Sequence, residues 1–212
     1  MKLEFQTIFY DKIKSYILTA VFGIIAGLLV AFFSTFPKDD LWAFSYFSSE
    51  TFGFWMFTTS IIVLFSEKTK NAFLNSTIYV GLMFAITAIC KTITDYQIQL
   101  NQGSLEDYFF INNYNSFSEY IFKSIFNVIL YSITSAIVCG VLGLILWNGR
   151  RNTKFSKLLL IAPAIYILFE TVFMYYKLFT AHTMLFMSII DTVCLILYIF
   201  IFSKYLFFKK AS

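Results

Sequence analysis

The stretch LLLIAPAIYILFETVFMYY, residues 158–176, is long enough and apolar enough to cross a bilayer as a helix, yet it carries Glu170 near its middle. A helix needs about 20 mostly apolar residues to span the hydrocarbon core. The rest of the chain repeats the pattern. Of 212 residues, 59% are hydrophobic, 21% aromatic and only 13% charged. Soluble domains carry roughly 25% charged residues, so this chain lacks the polar side chains to cover a water-facing surface. Composition therefore points to an integral membrane protein.

Six apolar segments stand out, at about 13–36, 44–65, 72–94, 117–148, 156–179 and 183–207. Only helices and closed barrels satisfy backbone hydrogen bonds in lipid. These runs are continuous rather than alternating, so they read as helices: an all-α, polytopic bundle of six transmembrane helices in one domain, 1–212. The longest connection, residues 95–116, holds GSLEDYFFINNY. Ser104 there can cap a short helix with Glu106 and Asp107 in its first turn, which suits the positive end of a helix. This reads either as an interfacial helix or as a lid.

Cation placement sets the orientation. Twelve of the 16 Lys and Arg residues fall before the first segment, after the second, after the fourth, or after the sixth. The other four, Lys38, Lys91, Lys123 and Lys177, share their side with most of the acids. The positive-inside rule then puts both termini in the cytoplasm of a multi-pass cell-membrane protein. The first segment reads as a retained signal-anchor, because FFSTFPKDD offers no small-x-small cleavage site. The lysine-, asparagine- and phenylalanine-rich usage points to an AT-rich bacterium.

Lipid tails provide little hydrophobic drive between helices, so close packing relies on small residues. The first segment spaces Thr19, Gly23, Gly27 and Ala31 by fours, and the fourth carries Ala136, Gly140 and Gly143. These faces either pack within the bundle or, on the first helix, dock a membrane-protein partner. Helix count, size, orientation and the Gly23–Gly27–Ala31 stripe together resemble the substrate-binding S-components of energy-coupling-factor vitamin transporters. In that family the resemblance implies docking to a transport partner through the first helix. No ligand-specific motif extends it.

No catalytic signature is present. The chain has one histidine and lacks HExxH, a GxSxG elbow and a glycine-rich phosphate loop. Cys90, Cys139 and Cys194 fall singly in three apolar segments, without metal or redox spacing. The expectation is a protein that is not an enzyme, with no cofactor, no metal and no nucleic-acid partner.

What remains is a set of ionisable and polar residues in or near the membrane. Counting from a turn near residue 180, Glu170 and Asp191 both lie about 15 Å deep on consecutive antiparallel helices. Lys91, Lys123, Asn127 and His182 sit nearer the same surface. A mid-membrane carboxylate is costly and faces protein or water rather than lipid. Three readings follow: acids that join helices by hydrogen bonds, acids and lysines that line an outward pocket for a small polar or cationic ligand, or acids that carry coupling ions. The first expectation for function is a small-solute binding or transport component that draws energy from a partner. The alternative is an accessory or structural subunit that binds another membrane protein. Pro163, seven residues before Glu170, either kinks its helix and widens a cavity or is tolerated near the helix end.

Overall fold

Every described element is helical, as the continuous apolar runs require. The computed structural model describes residues 12–36, 41–48, 52–103, 116–149 and 154–207. Its helices are α1 (Lys12–Phe33), α2 (Phe52–Phe65), α3 (Thr69–Asn101), α4 (Phe117–Asn148), α5 (Lys154–Ala181) and α6 (Leu185–Phe207). Five of them, all but α2, are long and apolar enough to cross a membrane. Their directions alternate. The start of α1, the end of α2, the start of α3 and the end of α4 are tied together by hydrogen bonds, and Tyr198 near the end of α6 reaches Leu160 near the start of α5. We call this the terminal end and the opposite one the α5–α6 end.

The segment expected as one span over 44–65 is broken. Residues Phe44–Ser48 form a 3-10 turn, and α2 has only 14 residues. At 1.5 Å per residue α2 covers about 21 Å, short of a hydrocarbon core about 30 Å thick. Irregular backbone at such depth is tolerated where protein buries it. Ala43, Ser45 and Phe47 are indeed buried. Phe33, Phe44, Phe47 and Phe186 pack over the break with ring centroids 4.7–5.7 Å apart. Ala43 adopts a left-handed backbone, φ 49°. That bend lets Leu41 O and Trp42 O accept the otherwise orphaned N–H groups of Leu185 and Phe186 at the start of α6.

The small-residue faces are used inside the bundle. A Cβ on Gly23 would lie 2.7 Å from Tyr79 O, and one on Gly27 2.7 Å from Met83 O, both on α3. Thr19 and Ala31 are buried on the same stripe. The stripe expected as a possible docking surface is therefore covered by α3, and the opposite face of α1 presents Ile17, Phe22, Ile25 and Leu29 outward. Gly143 of α4 likewise meets Ser76 Oγ and Ala72 O, Gly140 meets Thr77 and Phe73, and Ala136 meets Gly81. Helix α3 is thus the post on which α1 and α4 are mounted. It also runs to Asn101, beyond the expected boundary at 94. Residues 104–115, where a capped interfacial helix was expected, lie outside the described residues.

A polar cluster secures the terminal end. Asn75, fully buried, donates to Ser15 Oγ (2.9 Å) and Ser66 Oγ (3.1 Å), while Tyr16 donates to Asn71 (3.2 Å) and Trp147 to Ser66 O (3.3 Å). Interhelical bonds of this kind contribute roughly 0.6 kcal/mol each in membranes. Asn75→Leu removes two of them, and is expected to lower stability by about 1–2 kcal/mol. Reversible unfolding in mixed micelles measures it; an unchanged midpoint would show the cluster to be dispensable.

Candidate functional site

Glu170 on α5 and Asp191 on α6 converge on the first turn of α2. A Cβ on Gly53 would lie 2.8 Å from Asp191 Oδ1 and 3.0 Å from Glu170 Oε2. The two oxygens are therefore within about 6 Å of each other, the range over which one carboxyl senses another. Only glycine leaves room for both. Because α2 begins at Phe52, the positive end of its dipole lies on this side, an environment favourable to negative charge. Glu170 thus stands in an apolar helix where that helix meets the start of α2, inside the bundle rather than against lipid.

Both acids are sequestered, Glu170 at 6% exposure and Asp191 at 0%. Neither Asp191 oxygen has a hydrogen-bond partner among the described residues. Interhelical gluing by hydrogen bonds, one of the three sequence readings, is therefore not seen at Asp191. Leaving a buried polar group unbonded costs about 1–3 kcal/mol, more when it is charged. Such a group calls for a reason other than stability.

A cavity of about 310 Å³ lies beside Glu170, lined also by Phe52, Tyr166, Phe169, Phe173, Met174 and Lys177. Lys177 is two turns from Glu170 on the same face of α5, and its ammonium sits 4.8 Å from the centre of the Phe173 ring. A second cavity of about 300 Å³ continues past Phe52 and Tyr166 between α2, α3 and α4, with Trp55, Met83, Val138 and Leu142 on its walls. A third, of about 270 Å³, lies between α4 and α5 and includes Pro163. Helices α4 and α5 touch only sparsely, and the three cavities, with Tyr166 as a shared wall, lie along this flank of the bundle; we call them the flank cleft. Pro163 lies inside α5 and borders the third of these cavities.

The other residues expected at the site stand apart from it. Lys91, Asn127 and His182 are exposed, and Lys123 pairs with Glu119 at 2.8 Å, one turn away on α4. None of the four lines the cavities around Glu170. His182 occupies the α5–α6 turn with φ 53°, a left-handed conformation that histidine enters more readily than most residues. Counting residues along a helix estimates depth, but it does not tell which way each group faces. Sequence reasoning missed Gly53, Tyr166 and Lys177. For Lys177 a signal existed, since a spacing of seven from Glu170 returns to the same helix face. The cysteines are free thiols, and no cluster of three metal-ligating side chains occurs among the described residues.

Compared with known protein families, curated proteins and solved structures, the chain matches none. The resemblance to energy-coupling-factor S-components thus rests on gross architecture, and the stripe that carried it is occupied by α3.

Proposed function

We propose that this chain is a membrane component that binds or moves a small solute at the Glu170–Asp191 pair, and that it relies on a partner or an ion gradient for energy. The observation that supports this is Asp191: fully buried, with neither oxygen hydrogen-bonded among the described residues, beside a second acid that borders a cavity. Apolar residues of similar volume often serve stability as well as or better than buried ions, so a site built at this cost suggests a use. The cation asymmetry of the sequence puts the α5–α6 end outside, both termini in the cytoplasm and the Glu170 cavity in the outer half of a cell membrane. The sequence holds no phosphate-binding loop, hence the dependence on a partner. The accessory-subunit reading loses its chief support, because the α1 stripe packs against α3.

The test is a thermal-unfolding screen of the protein in lipid nanodiscs against organic cations, from ammonium to long-chain alkylammonium compounds. At least one is expected to raise the wild-type midpoint and to leave the Glu170→Gln/Asp191→Asn variant unmoved. Equal shifts in both proteins, or no shift in either, would overturn the reading.

A further inference from the structure

The cavity beside Glu170 is not isolated. Tyr166 lines all three cavities of the flank cleft, Phe52 lines two and Met56 lines two. One end holds Glu170 and Lys177. From there the cleft runs toward the terminal end along Tyr166, Met56, Leu142 and Leu159, with little to offer a polar ligand beyond scattered hydroxyls. Glu170 and Leu159 are eleven residues apart on α5, about 16 Å along the axis, which is the length of a long alkyl chain. A wholly polar solute would leave most of this wall without a partner. A wholly apolar one would make no use of the charged groups at the Glu170 end.

We infer that the flank cleft takes an amphiphile with a cationic head, its ammonium held beside Glu170 and its alkyl tail laid over Tyr166, Met56 and Leu142 toward Leu159. The charge follows from the balance at the head end, two acids, Glu170 and Asp191, to one ammonium, Lys177. Tyr166, Phe169 and Phe52 supply the aromatic faces that favour a quaternary ammonium. Entry is lateral, from the bilayer, through the gap between α4 and α5. This rests on the solute-binding reading above and adds the class of solute.

Trp55 lines the cleft and reports on it. The probe is dodecyltrimethylammonium brominated on its tail, added to the protein in zwitterionic nanodiscs. The Trp55 signal is taken as the difference between wild type and Trp55→Phe. Saturable quenching is expected, weaker by about tenfold or more in Glu170→Gln, as befits the loss of one charge-assisted contact. It should also weaken in Leu142→Phe, which narrows the tail path and leaves the acids untouched, and should strengthen in Lys177→Gln. A brominated phosphatidylcholine that quenches equally well, with no dependence on Glu170, would show the cleft to be ordinary lipid-facing surface and would overturn the inference. If choline competes as strongly as the tailed compound, the small-solute reading stands and the amphiphile assignment falls. If no cation of either kind binds, both fall.

Discussion

Gly53→Ala is expected to destabilise the protein by about 1–3 kcal/mol, the usual cost of forcing a methyl into a packed site. The added carbon would lie 2.8 Å from Asp191 Oδ1 and 3.0 Å from Glu170 Oε2. Glu170 can yield only into the cavity it borders, whereas Asp191 is fully buried and borders none of the three cavities. Asp191 has a short side chain, so relief requires α6 or α2 to move. The clash has a specific signature. In an Asp191→Ala background the same Gly53→Ala change should cost much less, giving a coupling of about 1 kcal/mol or more in a double-mutant cycle. Unfolding in mixed micelles, followed by tryptophan fluorescence, measures all four corners. Additive effects would mean that Gly53 and Asp191 do not touch.

Gly27→Leu is expected to be more severe. A Cβ at Gly27 would lie 2.7 Å from Met83 O and 2.8 Å from Ile86 Cβ, so the obstacle includes backbone of α3 rather than only side-chain tips. The substitution drives α1 away from α3, and with it Thr87, whose hydroxyl donates to Gly27 O at 3.2 Å. Membrane helices associate largely through such close van der Waals contact, so a loss of about 3 kcal/mol or more is expected, approaching loss of the fold. Leu28→Ala, on the exposed face of the same helix, should change stability by less than about 0.5 kcal/mol. A Gly27→Leu protein of normal stability would contradict the packing of α1 on α3.

These two glycines mark what the sequence could and could not disclose. Gly27 belongs to a spaced stripe, and stripes of small residues on apolar helices announce close packing; only the identity of the neighbour was open. Gly53 has no such context. It stands in FGFW, an aromatic run that reads as the interior of a span over 44–65. The interruption arises from tertiary packing: the rings of Phe33, Phe47 and Phe186 bury the turn at Phe44–Ser48, and the start of α6 borrows carbonyls from Leu41 and Trp42. Those partners are distant in sequence, so local hydropathy carries no trace of them. The meeting of Glu170 and Asp191 was partly legible, because counting from a shared turn fixes depth on two antiparallel helices. Depth does not fix azimuth, which is why counting along the helices could not tell that Lys91 and Lys123 lie outside the cavities around Glu170. Lys123 instead pairs with Glu119 on its own helix.

The broken helix also explains why acids can be kept in the bundle at all. A continuous α2 would present no free N–H groups at this level, and two carboxylates there would face only apolar side chains. Starting α2 within the bundle puts the positive end of a helix dipole beside them, an arrangement that membrane proteins use to hold anionic groups away from water. Fold and site are therefore one construction.

Its most direct test is a disulfide. In a background lacking Cys90, Cys139 and Cys194, cysteines replace Gly53 and Asp191, and the protein is oxidised in native membranes with a lipid-permeable copper catalyst. A Cβ at residue 53 would lie 3.3 Å from Asp191 Cγ, the position a cysteine sulfur would take, and in a disulfide each Cβ lies about 3 Å from the far sulfur. The intramolecular cross-link, read by mass spectrometry, should form readily for this pair and not for Gly53→Cys with Lys123→Cys. If the 53–191 pair stays reduced while cysteines at 53 and 123 join, the start of α2 does not meet the acids and the account of the site is wrong.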